Sequence, residues 1–168
     1  IKDAESLELA KEVDALVLDK TGTITEGRPE VIEFLWSQGK DYLAPVLLSI
    51  EKLSEHPLAE AVVQHFKEEQ QVELSHFESI TGHGVQAEYK QEVYYVGNKK
   101  LLFENKISIP GDLQEKVNDW GRQARTVIWI ANSKEAVGVA AIADKIKPTS
   151  TLAIRQLQEM GIETYMLT

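Results

Sequence analysis

The apolar run Ala15-Leu16-Val17-Leu18 stops abruptly on an acid, Asp19, and small, hydroxylated or basic residues come next: Lys20-Thr21-Gly22-Thr23. A short apolar run bounded by turn chemistry suits a buried parallel strand. In open α/β sheets ligands sit just beyond the carboxyl ends of such strands. Asp19 is therefore expected at the mouth of a site. Thr21, Gly22 and Thr23 are placed to offer backbone donors and hydroxyls to an anionic group. The plain alternative is a solvated turn with Asp19 as its cap.

The rest of the chain reads as a mixed block and then a return to helix and strand. Residues 1–12 carry Leu7, Leu9 and Ala10 among charges, as in a short lead-in helix. Glu26-Gly27-Arg28-Pro29 is turn chemistry and a plausible hinge, and Val31–Trp36 reads as a strand. Asp41 is positioned to cap a helix bearing Leu43, Val46, Leu47, Ile50 and Leu53, with Pro45 in its first turn. Pro57 suits the first position of a second helix, with Leu58, Ala61, Val62 and Phe66 along one stripe. From Leu74 the period changes to two. Val85, Ala87 and Tyr89 alternate with polar residues, Gln91-Glu92 reads as a hairpin connection, and Val93–Val96 returns. Short helices are expected around Leu101–Phe103 and over Pro110–Arg122. Thr126–Ala131 and Ala136–Ala143 are β-rich runs joined by a hairpin turn at 132–135. Asp144–Pro148 breaks the pattern. A helix then runs from Thr149 or Ser150 to a terminating Gly161, and Ile162–Leu167 closes as a strand.

This order predicts an α/β domain split by an insertion. One part covers 1–29 and 141–168; the inserted α+β part, built on an antiparallel sheet, covers 30–140. Net charge is −9, which argues against a nucleic-acid partner. The chain has no Cys, which excludes disulfides and thiolate metal sites. The longest apolar run, Ala136–Ala143, is far short of the roughly 20 residues a spanning helix needs. Gly82-His83-Gly84-Val85-Gln86-Ala87 matches a dinucleotide-binding pattern. That motif requires a helix after it, whereas residues 85–90 alternate like a strand. His56, His65, His76 and His83 lack the spacing of a preformed metal site.

The run Asp19-Lys20-Thr21-Gly22-Thr23, in the setting Leu16–Gly27, resembles the phosphorylation signature of the P-type ATPases. The resemblance extends over essentially the whole chain. It implies a haloacid-dehalogenase-like, Rossmannoid phosphorylation domain, here incomplete, with an inserted nucleotide-binding domain. It implies that Asp19 attacks the γ-phosphoryl of ATP to form an aspartyl-phosphate. Mg²⁺ would be held by the Asp19 carboxylate and the Thr21 backbone carbonyl, and Lys20 belongs to the same signature. Thr168 falls where the family's Thr-Gly-Asp motif begins. Asp144-Lys145-Ile146-Lys147-Pro148 resembles the segment that re-enters the phosphorylation domain, with Asp144 at the hinge.

A second constellation, Ser54-Glu55-His56-Pro57-Leu58, matches the His-Pro motif of the heavy-metal-transporting branch of that family. The resemblance places His56 against an adenine, with Glu51 contacting the base. It also brings Gly82, Gly84 and the adjoining Val85, and the later pair Gly97-Asn98, into the nucleotide site. Gly lets the backbone approach a ligand, and Asn98 can both donate and accept.

The resemblance thus implies the ATP-binding and phosphorylation portion of a heavy-metal pump, with copper favoured by the local flavour of Thr25–Pro29. It implies a cytoplasmic portion of an integral membrane protein. Its partners would be ATP and the pump's remaining domains: actuator, membrane helices and the rest of the phosphorylation domain. Self-association through an incomplete sheet is a further expectation. The rival readings are a free-standing haloacid-dehalogenase-type phosphatase and an ATP-binding module without catalysis. The phosphatase is disfavoured because Thr21 stands where those enzymes carry a second acid, and a hydroxyl cannot do that proton work near neutral pH.

Overall fold

A computed structural model describes residues 12–123 and 125–167, so the expected lead-in helix and Thr168 lie outside the described residues. The chain divides into two compact units: Pro29–Ala143, and the flanking segments through Arg28 and from Asp144 onward.

The larger unit is built on a six-stranded sheet in the order β2-β7-β6-β5-β4-β3. Its strands are β2 (Thr25–Trp36), β3 (Ser75–Ile80), β4 (Gly84–Tyr89), β5 (Glu92–Gly97), β6 (Thr126–Asn132) and β7 (Ala136–Ile146). The ladders from β3 through β7 are all antiparallel. Helices α1 (Ala44–Leu53) and α2 (Ala59–His65) supply Val46, Leu47, Ile50, Ala61 and Val62 to one core, with Val85, Val96, Ile128 and Ile130 from the strands. Helices α3 (Lys99–Glu104) and α4 (Gly111–Gly121) bring Leu101, Leu102, Leu113 and Trp120 against Trp129, Ala131, Val139 and Ala141 in a second core. Alternate residues of β6 point into different cores, as the two-residue period of a strand requires. This explains the unbroken apolar run Ala136–Ile142: each of its apolar side chains is fully buried, because β7 is covered on both faces.

Several local expectations change. Glu26–Pro29 is not a turn but part of β2, which runs from Thr25. Pro29 is tolerated there because β2 is an edge strand, where a missing N–H breaks no ladder. Likewise β7 continues through Asp144 to Ile146. Asp41 opens a single 3₁₀ turn ahead of α1 and makes no cap hydrogen bond to it. Pro57 lies in a turn, and α2 begins at Ala59, whose N–H bonds the His56 carbonyl at 2.9 Å. Tyr89 pairs with Glu92, so the hairpin residues are Lys90-Gln91 rather than Gln91-Glu92. Both have positive φ, 50° and 66°, the requirement of the hairpin turn whose twist matches its strands.

The smaller unit holds β1 (Ala15–Asp19), β8 (Glu163–Leu167) and α5 (Ser150–Glu159). β1 and β8 pair in parallel, Asp19 opposite Leu167. The expected buried strand is instead half-buried and exposed by turns, with Val17 63% and Leu167 63% exposed. A parallel strand is buried only when neighbouring strands and layers cover both faces. Among the described residues this sheet has two strands. No helix among the described residues is long and apolar enough to cross a membrane.

At the edge of the larger unit, Glu33 of β2 accepts from Lys116 Nζ of α4 at 2.8 Å and from Arg125 Nη1 at 2.5 Å. The two cations hold its carboxyl down at about 2. A depressed carboxyl stabilises the fold above its unfolded value, near 4.5, and loses that contribution as pH falls towards about 2. Glu33→Gln is therefore expected to flatten the acid limb of stability over that window, its deficit against the unsubstituted chain being full above about 4.5 and vanishing towards about 2, as measured by urea unfolding at successive pH values. Replacing Lys90-Gln91 by Asn-Gly removes left-handed strain from two side-chain-bearing residues. The same unfolding assay is expected to show a gain of about 1 kcal/mol.

Candidate functional site

Two sites emerge, one in each unit. In the smaller unit Asp19 ends β1 with an exposed side chain. The backbone then turns through the five-residue loop Lys20–Ile24. Gly22 sits at φ 77°, which a side chain resists. The loop closes on Thr25, which is 1% exposed. Its Oγ1 accepts from Gly22 N–H at 3.2 Å and lies 3.0 Å from the Lys20 carbonyl.

Asp144 fixes that threonine. Its carboxylate accepts from Thr25 Oγ1 at 2.5 Å, from Gly27 N–H at 3.0 Å and from Arg28 N–H at 3.2 Å. Lys147 Nζ donates to the Gly22 carbonyl at 2.5 Å, and Ser150 Oγ donates to the Ile24 carbonyl at 2.8 Å. The loop after Asp19 is thus held by side chains from β7, the link that follows it and the start of α5. Bonds from a carboxylate to backbone N–H groups are among the stronger ones available to a loop. Sequence reasoning singled out Asp144 but not this clamp, because a Thr–Asp pair 119 positions apart leaves no local signal.

As a metal centre the loop offers oxygen donors, the Asp19 carboxylate and the Thr21 carbonyl. That is the donor type a hard divalent cation takes. No cluster of three or more acidic, His or Cys side chains occurs among the described residues, so this set would supply only part of a shell.

In the larger unit a cleft of about 460 Å³ opens between the 54–58 loop, the β3–β4 turn and the starts of α3 and β6. Glu51, His56, Gly82, Gly84, Val85, Gly97 and Asn98 all line it. The helix, loop, turn and strands that carry them are far apart in sequence.

Each is positioned for a physical reason. His56 Nδ1 accepts from Leu58 N–H at 3.2 Å. That bond requires an unprotonated Nδ1 and leaves Nε2 carrying the proton in the neutral ring. Pro57 makes the turn that allows it. Gly84 and Gly97 face each other across β4 and β5. A Cβ on Gly84 would lie 2.1 Å from the Val96 carbonyl oxygen, and one on Gly97 2.2 Å from that of His83. These glycines let two strands meet, and the nearest atoms to each are backbone of the opposite strand and its adjoining turn. Gly82 differs: its φ is 73° and a Cβ there would meet open space.

Asn98 is a brace. Its Nδ2 donates to the Gly82 carbonyl at 2.9 Å and its Oδ1 accepts from Leu101 N–H at 3.1 Å, capping α3. Both ends of the amide expected at the nucleotide site are thus engaged in the fold. The sequence did not single out Ser79, Thr81, His83, Thr126 or Ile128, which also line the cleft. Of these only His83 lay inside a recognised motif.

Glu51 has the most unusual environment. It is 4% exposed, and its carboxyl has no hydrogen-bond partner among the described residues. Burial pushes it up to about 7, since a low-dielectric setting disfavours the charged form.

A strand ending on an exposed acid, a tightly held loop and an inserted sheet domain with its own cleft define the haloacid-dehalogenase class. The sequence profile described as haloacid dehalogenase-like hydrolase matches residues 13–168, and the chain belongs to that family. Within it, the chain is homologous to part of the P-type ATPases. It is 40% identical over 169 residues to a copper-exporting P-type ATPase of Staphylococcus aureus (strain USA300 / TCH1516), covering 99% of this chain and 21% of the relative. The chain thus spans about a fifth of the length of the curated relatives it matches. Among solved structures, a zinc-transporting PIB-type ATPase in the E2.Pi state superposes with a TM-score of 0.77 at 24% identity, covering 93% of this chain and 26% of that one. A catalytic CPx-ATPase domain gives 0.63 at 26% identity, covering 99% and 56%.

Gly84→Ala and Gly97→Ala are each expected to cost more than about 3 kcal/mol or to prevent folding, because backbone must move to admit the methyl group. Gly82→Ala, with room but a left-handed backbone, is expected to cost about 1 kcal/mol. Urea unfolding of the three variants separates the two roles of glycine.

Proposed function

We propose that this chain is the ATP-binding and phosphorylation portion of a heavy-metal-transporting P-type ATPase, with copper as the transported ion. The observation that carries the reading is the convergence of Glu51, His56, Gly82, Gly84, Val85, Gly97 and Asn98 on one cleft of the larger unit. The cleft is large enough for a purine nucleoside and lined mainly by apolar groups with a few polar ones, the usual make-up of a small-molecule site.

In this reading the cleft holds the purine of ATP. The His56 ring offers a flat face to the base, and the Gly82 and Gly84 backbone comes close to the nucleotide. Asp19 is the nucleophile. A carboxylate oxygen forms a bond to the γ-phosphorus as the bond from that phosphorus to the β–γ bridging oxygen breaks, leaving ADP. In-line placement and charge neutralisation carry most of the catalysis in such transfers. Mg²⁺, which supplies that neutralisation when bound, would be held by the Asp19 carboxylate and the Thr21 carbonyl. Lys20 and Thr168 complete the residues assigned to the reaction, and Asp144 marks the hinge.

Thr21 lacks the proton chemistry to hydrolyse the acyl-phosphate, which favours a pump that stores the intermediate over a phosphatase. The copper assignment rests on the copper-exporting relatives. The actuator, membrane helices and remaining phosphorylation domain of the pump are the proposed partners. They are also the natural cover for the exposed apolar side chains Val17, Tyr165, Met166 and Leu167.

The test uses ATP labelled at the γ-phosphate and titration of the nucleotide. His56→Gln is expected to weaken ATP binding about tenfold, a loss of about 1.4 kcal/mol. Acid-stable, hydroxylamine-sensitive label is expected on the intact pump and absent in Asp19→Asn. ATP affinity unaffected by His56→Gln, or label that survives Asp19→Asn, overturns the assignment.

A further inference from the structure

We infer that Glu51 selects the base through its protonation state, the neutral acid taking adenine and the anion taking guanine. The inference rests on the reading of the cleft as a purine-nucleotide site.

Among the described residues that line the cleft, Glu51 is the most buried polar one, at 4% exposed, and His83 Nε2 is the other buried polar atom there without a hydrogen-bond partner. Its carboxyl makes no hydrogen bond within the described residues, and strands β4, β5 and β6 present Val85, Val96 and Ile128 to the same cleft. A buried polar group without a partner is costly. Here it lines a cleft sized for a ligand, so a ligand edge can complete it.

The hydrogen-bonding arithmetic then discriminates. A neutral carboxyl has one O–H donor beside one carbonyl acceptor, whereas a carboxylate only accepts. The Watson–Crick edge of adenine presents a ring-nitrogen acceptor beside an amine donor, which the neutral acid matches at both points. The same edge of guanine presents two adjacent N–H donors, which a carboxylate matches. A carboxylate against adenine would leave two lone pairs facing each other in a water-poor cleft.

Both states are accessible near neutral pH because burial raises the group to about 7. The titratable groups sharing the cleft are Glu55 and His56 from the 54–58 loop and His83 from the β3–β4 turn. Strands β4, β5 and β6 contribute none, and no Lys or Arg lines the cleft. Lys52, next to Glu51 on α1, is exposed. Nothing nearby therefore holds Glu51 in the charged form.

The experiment is calorimetric titration of the 168-residue chain with ATP and with GTP at pH 6, 7 and 8. Two buffers of different ionisation enthalpy are used, so that proton uptake is counted. With the group near 7, the protonated fraction changes about tenfold over this range. The ATP-to-GTP affinity ratio is expected to fall by at least about tenfold from pH 6 to pH 8. ATP binding at pH 8 is expected to take up close to one proton. Taking the ratio cancels titration of the phosphates, which both ligands share.

Glu51→Gln carries a permanent donor beside an acceptor. It is expected to keep its preference for ATP at pH 8 and to take up no proton, with circular dichroism confirming the fold. A wild-type ratio that does not change with pH, or proton uptake undiminished in Glu51→Gln, overturns the inference while leaving the purine site intact. Failure of both nucleotides to bind at any pH overturns the purine-site reading and this inference with it.

Discussion

The cleft exists because β4 and β5 meet where neither strand carries a side chain. At the Gly84–Gly97 pair the backbones approach so closely that a single methyl group would collide with a carbonyl oxygen. That contact sets where β4 emerges from the turn after β3 and where β5 hands over to α3. Asn98 reinforces it, bonding the turn with one end of its amide and capping the helix with the other. Part of the cleft lining is therefore main chain at Gly84 and Gly97, beside the side chains of Val85 and Val96. Glycine backbone in a lining is where a flat ligand can approach closely.

The smaller unit solves a comparable problem with charge. A loop that turns through a left-handed glycine has no ladder to hold it, so its backbone groups need partners from elsewhere. Asp144, Lys147 and Ser150 provide them by gripping Thr25, Gly22 and Ile24. Fixing this loop also fixes the exit of β1 and so the position of Asp19. Asp19 itself remains exposed, as the proposed role of nucleophile requires. The two chain crossings between units, at Arg28–Pro29 and Ala143–Asp144, fall within long strands rather than in the flexible turn that Gly27 and Pro29 suggested.

Much of this was legible in the sequence where the signal is local. The two-residue period of β4 and β5, the helix stop at Gly161 and the acid ending β1 were each readable from neighbours in the chain. Errors arose where tertiary context overrode local chemistry. Glu26–Pro29 reads as a turn because Gly and Pro usually make one, yet an edge strand has room for both. The hairpin residues were misplaced by one position because Lys90-Gln91 is poor chemistry for positive φ, and only the pairing of Tyr89 with Glu92 settles the register. β1 looked fully buried because an apolar run is silent about how many layers lie around it. The residues of the cleft were readable because motifs mark them; the division of labour among them was not. Gly84 and Gly97 serve the strand crossing, Asn98 serves a cap, and neither role has a sequence signature distinct from ligand binding.

The composition of the cleft also bears on how a nucleotide is divided between recognition and chemistry. Its lining contains Glu51, Glu55, His56 and His83 but neither Lys nor Arg. A triphosphate carries several negative charges, and placing them beside acidic side chains without a cation would be unfavourable. The base and sugar are neutral, and apolar contact with Val85, Val96 and Ile128 favours them. The cleft is therefore suited to grip one end of the nucleotide and leave its phosphates outside. Under the proposed function this leaves the phosphoryl group for a separate carboxylate, Asp19, because a phosphate tail already neutralised where the base is bound would have little to gain from a second set of charges.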